Sequence, residues 1–371
     1  MKSKKWFKQV AAFLMTISMC LSLIGCSAEK KAESTAAADS LPKELSLEEI
    51  EKLAKEEGKV ISVGMPDDWA NWKDTWADLK TIYGLEHSDT DMSSAEEIAK
   101  FEAEKEKPTA DIGDVGMAFA PVAVQKGVTQ PYKTSYWNEI PDWAKDKEGH
   151  WMLGYQGTIA FITNKKLIQN PPKTWDELLN GDYKVAVGDV AKAAQAQNAL
   201  LAVAMAKGGD ESNIDAAYEF FSEIAKQRRL SLVNPTPANF ENGEVEMAIL
   251  WDFNALSYRD LLNREDYEVT IPADGSIVSG YATIINKYAP HPHAAMLARE
   301  YILSDAGQIN LAKGYARPIR DNVNLPEDVK EKMLPLDQYK NVKPIKDFTV
   351  WENTAKEIPQ KWQEKVLIHV K

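Results

Sequence analysis

Aspartate and tryptophan side chains occur together at two places where an apolar strand gives way to a loop. The first is Asp67-Asp68-Trp69, and the second is Trp251-Asp252, with Asn254 two residues further on. A carboxylate beside an aromatic face suits an organic cation, through ion pairing and cation–π contact. The alternatives are a surface loop with a half-buried Trp69, and capping of the following helix by Asp252 or Asn254.

Two other residues have chemistry that suits an anion. Ser94 stands at the start of a predicted helix, whose free N–H groups could bind phosphate or carboxylate, but Ser93 and Ser94 could equally cap that helix, with Glu96 or Glu97 completing a capping box. Arg317 could hold an anionic group with two hydrogen bonds, or form an ordinary salt bridge between lobes or on the surface.

Four further candidates lie at or near the ends of predicted strands. Asp114 ends an apolar strand, where it either contacts ligand or caps the next turn. Tyr155 and Gln156 come just before a strongly β-forming run, and the alternative for Tyr155 is a core tyrosine with a satisfied hydroxyl. Tyr281 follows a glycine, which permits a bend or a close backbone approach. We predict that all four face a ligand.

Motifs of catalysis and metal binding are missing from the sequence. It has no Gly-x-Ser-x-Gly elbow, no His-Glu-x-x-His helix and no phosphate-binding loop. Of the five histidines, His87 and His150 are isolated, and His291 and His293 are expected on the surface just before a helix. The sequence therefore predicts a binding protein without metal or cofactor; the alternatives are an extracellular hydrolase or an adhesive lipoprotein, although no repeat supports the latter.

The length and charge of the chain restrict its class. A chain of 371 residues is expected to form two domains. The formal net charge of −12 argues against nucleic acid as a partner, because phosphate binding requires clustered Lys and Arg.

The N-terminus has the pattern of an export signal. A basic start precedes an apolar run from Val10 to Ile24, which is shorter than the roughly 20 apolar residues that a membrane span needs. Leu23-Ile24-Gly25-Cys26 resembles the lipobox of bacterial lipoproteins, which are cut before the cysteine and lipidated on it. We predict a signal peptide at 1–25, lipid on Cys26 and a flexible tether over 26–45, which would place the protein on the outer side of a membrane. The alternative is an ordinary signal peptide with a chance cysteine.

Strands alternate with helices after the tether, which predicts an α/β fold with parallel sheets and crossover helices. Ligands of such sheets bind beyond the carboxyl ends of the strands, so the loops at 64–69, 91–95 and 114–116 should share one edge. Candidate crossing strands near 155–163 and 275–285 would divide the chain into lobe one, 46–155 and 285–371, and lobe two, 160–275.

Several runs in the body resemble the type 2 periplasmic-binding-protein family, and within it the branch for iron(III), thiamine, polyamine and aminophosphonate import. The most specific are Pro171-Pro172-Lys173-Thr174-Trp175-Asp176-Glu177-Leu178 and Ser304-Asp305-Ala306-Gly307-Gln308. The resemblance implies two lobes, each a mainly parallel sheet flanked by helices, that are joined by hinge strands and close over a ligand. It also implies a monomer that delivers the ligand to the permease of an ABC importer.

The candidate residues favour different ligands. The aspartates and tryptophans favour an amine, as in a polyamine or a thiamine-like solute, whereas Ser94 and Arg317 favour a sugar phosphate or a dicarboxylate. An aminophosphonate would use both sets. Iron(III) binders of the family use adjacent tyrosines, and no Tyr-Tyr pair occurs here. We therefore expect an amine-containing organic ligand.

Overall fold

Strands and helices alternate along most of the chain. The computed structural model describes residues 45–370, so the predicted signal peptide, Cys26 and nearly all of the predicted tether lie outside the described residues. The strands are β1 (Lys59–Val63), β2 (Glu86–Thr90), β3 (Ile112–Gly116), β4 (Thr129–Gln130), β5 (Trp151–Asn164), β6 (Val185–Ala186), β7 (Leu230–Ser231), β8 (Met247–Trp251), β9 (Tyr267–Thr270), β10 (Ser276–Asn286), β11 (Arg317–Pro318) and β12 (Val342–Pro344).

The helices are α1 (Leu47–Glu57), α2 (Trp72–Tyr83), α3 (Ser94–Ala103), α4 (Ala120–Gln125), α5 (Trp175–Leu179), α6 (Ala194–Ala206), α7 (Asp215–Lys226), α8 (Pro237–Glu241), α9 (Asp252–Leu262), α10 (Pro292–Leu303), α11 (Asp305–Lys313), α12 (Glu327–Lys330) and α13 (Phe348–Lys365). Over residues 45–370, none of them combines the length and the apolar character that a membrane crossing requires.

The first helix begins and ends where local chemistry predicts. Ser46 and Glu49 form a capping box, in which Ser46 N–H donates to Glu49 Oε2 at 2.9 Å and Ser46 Oγ accepts from Glu49 N–H at 3.3 Å. The helix ends at Gly58, whose φ of 72° is a left-handed conformation that glycine adopts without strain. Its buried face, Ile50 and Ala54, packs toward α10.

One group of strands has the order β2-β1-β3-β10-β5. β1, β2 and β3 are parallel, as their connections through α2 and α3 require. Their carboxyl ends therefore lie at one edge and bring together the three loops that the sequence predicted there. β10 runs antiparallel to β3 and to β5, so the sheet is mixed.

The second group continues as β5-β8-β6-β7, with β9 also paired to β5. β6 is parallel to β7 and β8, and β5 is antiparallel to β8 and β9. β5 belongs to both groups, because residues 151–158 pair with β10 and residues 159–164 pair with β8 and β9. This one strand, at the first predicted crossing, joins the two halves of a curled sheet.

Helix α6 packs against strands of both groups, β3 and β10 in the first and β8 in the second. Its alanine-rich sequence is buried on nearly every side, which small side chains permit because neighbouring backbones can approach closely. The first residue, Ala194, lies against Gly116 at the end of β3, where there is no room for a side chain. The start of α6 is thereby held beside the carboxyl edge of the first group of strands.

Candidate functional site

Five aromatic rings meet beside the carboxyl edge of β1 and β3. Trp69 follows β1, Tyr155 and Tyr281 lie on β5 and β10, and Trp251 and Phe253 stand at the start of α9. The Trp69 ring lies edge-on at 5.4 Å, centroid to centroid, from both Phe253 and Tyr281, and the Tyr155 and Tyr281 rings are nearly parallel at 5.7 Å. Four of the five were predicted as site residues; Phe253, inside the Trp251-Asp252-Phe253-Asn254 run, was missed. We call these five residues the aromatic cluster.

Hydrogen bonds connect the aromatic cluster to a buried carboxyl group. Trp69 Nε1–H donates to the Tyr155 hydroxyl at 2.6 Å, and the Tyr155 hydroxyl donates to Asp114 Oδ2 at 2.6 Å. Trp251 Nε1–H donates to the Tyr281 hydroxyl at 3.2 Å. Tyr155 is fully buried, so its hydroxyl is satisfied as a core tyrosine requires, but its partners are two predicted site residues.

Asp114 is 1% exposed, and its Oδ1 atom has no hydrogen-bond partner among the residues that the structure describes. Burial raises the pKa of Asp114 from 3.8 to about 8, since a charged carboxylate is poorly solvated there. The hydrogen bond from Tyr155 and the nearby Trp72 indole lower the pKa, although Trp72 Nε1 does not reach a hydrogen bond of ordinary geometry with Asp114. The carboxyl is thus buried, next to the cluster and incompletely bonded.

A second buried carboxyl group, Glu97 on α3, was missed as a site residue and considered only as part of a capping box. Its Oε2 atom accepts from the Asp114 backbone N–H at 2.9 Å. It lies over Gly64 and Gly113, where a Cβ atom would collide with it; at Gly113 that atom would be 2.6 Å from Oε2. Burial, followed by the charge of Asp114, raises the pKa of Glu97 well above its usual range.

The two serines at the start of α3 have different roles. Ser93 forms the capping box with Glu96: its N–H and hydroxyl donate to Glu96 Oε2 at 3.1 and 2.8 Å. Ser94 is buried, and its Oγ atom accepts from the Gly116 N–H at 2.9 Å. This hydrogen bond joins the start of α3 to the end of β3, close to the aromatic cluster.

Four aspartates lie near this region. Asp67 and Asp68 are exposed beside Trp69, Asp89 is half-buried near the end of β2, and the exposed Asp91 follows that strand. Burial, followed by the charges of Asp91 and Asp68, raises the pKa of Tyr258 on α9 to about 12, so both carboxylates lie near that helix. Within residues 45–370, no Lys or Arg forms an ion pair with any of these four aspartates. We call Asp67, Asp68, Asp89 and Asp91 the acidic rim.

Asp252 makes internal hydrogen bonds through both of its oxygen atoms. Oδ1 accepts from the Thr158 and Phe253 N–H groups at 2.9 and 3.0 Å, and Oδ2 accepts from the Tyr339 hydroxyl at 2.7 Å. Burial raises its pKa. These contacts connect β5, α9 and the chain near Tyr339, which corresponds more closely to the capping alternative than to an open ligand contact.

Three other predicted residues have internal partners. Asn254 Nδ2 donates to Gln195 Oε1 at 3.2 Å, and Gln156 Nε2 donates to the Pro318 carbonyl at 2.9 Å. The Arg317 guanidinium lies 4.3 Å from the centre of the Tyr339 ring, and its charge lowers the pKa of Asp252. Arg317 is therefore associated with Asp252 and Tyr339.

The histidines at the start of α10 are half-buried, contrary to the expected surface position. His291 Nδ1 is 2.9 Å from Asp111 Oδ2, and His293 Nδ1 is 2.6 Å from Glu57 Oε1. Both carboxylates also accept hydrogen bonds from backbone N–H groups at the start of α10. They thereby provide acceptors for N–H groups that have no partner within the helix. In the described part of the chain, no group of three or more His, Cys, Asp or Glu is arranged to hold a metal ion.

This curled mixed sheet, with one strand shared between two halves, is the architecture of two-lobed periplasmic binding proteins. The sequence model of the family described as "Bacterial extracellular solute-binding protein" matches residues 107–343, and the chain belongs to that family. Its members are solute-binding proteins of ABC transporters rather than enzymes, and they act outside the cytoplasm. No curated protein matches the chain significantly in sequence.

Solved structures share this fold at low sequence identity. The periplasmic binding protein AfuA from Actinobacillus pleuropneumoniae, with exogenous fructose-6-phosphate bound, is 17% identical with a TM-score of 0.71, over 83% of this chain and 98% of AfuA. A periplasmic thiamin binding protein is 14% identical with a TM-score of 0.67, over 83% and 96%. The ferric binding protein from Campylobacter jejuni is 18% identical with a TM-score of 0.64, over 82% and 98%. They establish the type 2 periplasmic-binding-protein fold of this chain.

Proposed function

We propose that this protein captures a small organic solute with a cationic nitrogen and delivers it to the permease of an ABC importer. The site is the aromatic cluster together with Asp114 and the acidic rim. A polyamine or a thiamine-like solute has the charge that this set of side chains favours.

The observation that carries the proposal is the free Oδ1 atom of buried Asp114, beside the cluster of aromatic rings. A carboxylate in a poorly solvated place is stabilised by a cation, and ring faces attract the same cation. The acidic rim adds negative charge at the entrance, which would concentrate cations near the site. These three features all favour positive charge on the ligand.

A zwitterion, such as an aminophosphonate, is the second candidate. Helix α6 begins without a side-chain cap, because its N-cap residue is Ala193, and its first residue lies against Gly116 beside the cluster. Uncapped N–H groups at a helix start favour an anionic group. A purely anionic ligand, such as a sugar phosphate or dicarboxylate, has less support, because Arg317 lies against Tyr339 and Ser94 is bonded to Gly116. Iron(III) also has less support, because the sequence lacks the adjacent tyrosines that iron binders of the family use.

We further propose that Cys26 carries lipid and that a tether over 26–45 holds the folded body on the outer face of the membrane as a monomer. In this proposal the lobes are 46–155 with 285–371, and 160–275, and they close around the site. Closure would move the ligand out of water and strengthen its polar contacts.

Thermal unfolding of the purified protein against a panel of solutes tests the proposed ligand. The panel contains putrescine, choline, thiamine, an aminophosphonate, fructose 6-phosphate, a dicarboxylate and iron(III). A ligand that binds only the native state stabilises it by about 2.7 kcal/mol at 100 times its dissociation constant. We expect the midpoint to rise with a nitrogen cation or a zwitterion. A rise only with fructose 6-phosphate, the dicarboxylate or iron(III) would overturn the proposal.

A further inference from the structure

Asp114 and Glu97 are two buried acidic residues joined by one hydrogen bond, from the Asp114 backbone N–H to the Glu97 carboxyl group, and the proposed function uses only Asp114. Each is 1% exposed. Glu97 Oε2 accepts the N–H of Asp114 at 2.9 Å, while Asp114 Oδ1 and Glu97 Oε1 have no hydrogen-bond partner in the part of the chain that the structure describes. Two incompletely bonded acids thus lie together at the end of β3.

The fold reserves space for the second carboxyl group. Gly64, after β1, and Gly113, on β3, both lie under the Glu97 carboxyl group, and a side chain on either would displace it. The loop after β1, strand β3 and helix α3 therefore together fix the position of the Glu97 carboxyl group. Its position is a feature of the tertiary structure and is distinct from the capping box that Ser93 and Glu96 form at the same helix start.

The groups that face the pair provide no counter-charge. The pKa of Asp114 responds to Tyr155 on β5, Asp89 on β2 and Trp72 on α2, and that of Glu97 to Asp114, Asp89 and Asp91. Burial raises the pKa of Tyr281 on β10, and the charges of Asp114 and Glu97 act in the same direction. All of these groups are acidic or neutral.

Arg299 and Lys192, two cations on neighbouring segments, are bound elsewhere. Arg299, on α10, donates to Thr283, which pairs with Asp114 in the sheet, and to the backbone carbonyls of Tyr132, Gly149 and His150. Lys192, before α6, lies 3.3 Å from Glu96 Oε1 on the exposed side of α3. Neither forms an ion pair with Asp114 or Glu97.

An ionised carboxylate that is buried without a counter-charge is less stable than its protonated form. We propose that Asp114 and Glu97 both hold a proton in the ligand-free protein, and that a cationic solute displaces the proton of Asp114, so that capture is coupled to proton release. This inference rests on the proposed function. The Asp114 O–H bond breaks, the proton passes to the solvent or buffer, and the carboxylate pairs with the cation. Glu97 keeps its proton and acts as a positioning residue behind Asp114.

The direction of both pKa shifts agrees with this geometry. Burial raises the pKa of Asp114 to about 8 and that of Glu97 well above its usual range. A permanently charged cation such as choline should therefore bind more tightly as the pH rises. Its affinity should increase by up to about tenfold per pH unit until about pH 8 and then level off.

The proton on Asp114 can be measured without any ligand. An acid whose pKa is raised on folding contributes stability that is complete below its unfolded pKa and is lost as the pH rises through its folded pKa. We expect urea unfolding to show that wild-type protein loses stability relative to Asp114→Asn between about pH 4 and pH 8. Glu97→Gln removes the other acid with a raised pKa, so it should also lose less stability than wild type as the pH rises, whereas the exposed Asp321→Asn should follow the wild-type curve. Parallel curves for wild type and Asp114→Asn would overturn the proposal.

Infrared spectroscopy of the ligand-free protein gives a second measurement should either variant fold poorly. A protonated carboxyl has a carbonyl stretch that is separate from carboxylate bands. We expect the wild-type protein near neutral pH to show this band, and the band to weaken as the pH rises past about 8. Absence of a protonated carboxyl band near neutral pH would overturn the proposal.

Calorimetry with choline and putrescine then tests the coupling itself. Titrations at about pH 6, in buffers with different heats of ionisation, should show release of about one proton for each cation bound. Binding with the same heat in every buffer and a flat pH profile would overturn the coupling while leaving the proposed function intact. If neither cation nor any other panel solute with a cationic nitrogen binds, the proposed function fails, and the unfolding and infrared measurements still decide whether the pair holds protons.

Discussion

The Tyr155 hydroxyl donates a hydrogen bond of 2.6 Å to Asp114 Oδ2 and so joins the aromatic cluster to the buried carboxyl group. β5 carries Tyr155 and β3 carries Asp114; β10 separates these strands in the sheet. The bond therefore bridges the middle strand of the site and fixes one oxygen of the carboxyl group. The other oxygen, Oδ1, has no hydrogen-bond partner among the residues that the structure describes.

Tyr155→Phe removes this bond but keeps the ring. Asp114 Oδ2 then loses the hydrogen bond from Tyr155, and Trp69 Nε1–H loses its acceptor. We expect the free energy of unfolding to fall by about 1–3 kcal/mol, measured by urea denaturation. Tyr218→Phe is the matched control, because the buried Tyr218 hydroxyl has no partner within residues 45–370. Equal losses in the two variants would contradict the role given to the Tyr155 hydroxyl.

Trp69→Leu tests the aromatic wall at the ligand. Leucine keeps an apolar side chain but removes the ring face, and a cation–π contact contributes about 0.5–2 kcal/mol. Affinity for the cation that binds best should fall roughly 2- to 30-fold in calorimetry. Trp143→Leu provides the control, since Trp143 is 39% exposed and makes no contact with the aromatic cluster. An unchanged affinity in Trp69→Leu would show that the Trp69 ring does not contact the ligand.

Gly64→Ala tests the space reserved for Glu97. Gly64 has φ 69° and Gly84 has φ 74°, so alanine at either position meets a similar backbone strain of about 1–2 kcal/mol. Only at Gly64 would the new Cβ atom also collide with the Glu97 carboxyl group, since nothing lies within 4 Å at Gly84. Thermal or urea unfolding should show a larger loss for Gly64→Ala than for Gly84→Ala. Equal losses would mean that Glu97 moves away freely.

Asp252→Ala should act mainly on stability. The substitution leaves the Thr158 and Phe253 N–H groups and the Tyr339 hydroxyl without their acceptor. We expect a loss of roughly 2–4 kcal/mol in the free energy of unfolding. The exposed Asp321→Ala should change it little. A stable Asp252→Ala variant with weakened ligand binding would instead support direct contact between Asp252 and the ligand.

The acidic rim should influence how fast a cation arrives. Asp67→Asn combined with Asp68→Asn reduces the negative charge at the entrance, and charge steering weakens as ionic strength rises. Stopped-flow measurements should show slower association of the cation at low salt and a smaller dependence on salt. Asp321→Asn with Asp337→Asn removes the same charge from other exposed positions. If both double variants slow association equally, the effect comes from net charge alone.

Much of the fold was predictable because it depends on local chemistry. The Ser46 cap, the glycine that ends α1 and the apolar strands separated by helices are all visible in the sequence. The rule that ligands lie beyond the carboxyl ends of parallel strands brought Trp69, Ser94 and Asp114 together correctly. The boundaries of the lobes, the lipid on Cys26 and the ligand contacts stay predictions.

The roles within the site depended on tertiary contacts that local patterns do not encode. Glu97 looked like a capping residue, and only the position of Gly64 and Gly113 beneath it marks it as part of the site. Asp252 looked available for a ligand until Tyr339, far away in the sequence, supplied its partner. The histidines before α10 were expected on the surface because their carboxylate partners come from distant segments.

The most direct test of the proposed cation site compares wild type with Asp114→Asn by titration calorimetry, using the panel solute that stabilises the protein most. Asparagine keeps the shape of the side chain but cannot become a carboxylate. Loss of a buried ionic partner typically costs about 2–5 kcal/mol, so affinity for a cation should fall by roughly 30-fold or more, while Asp321→Asn binds like wild type. Equal affinity of wild type and Asp114→Asn would contradict the central claim that this carboxyl group binds a cationic ligand.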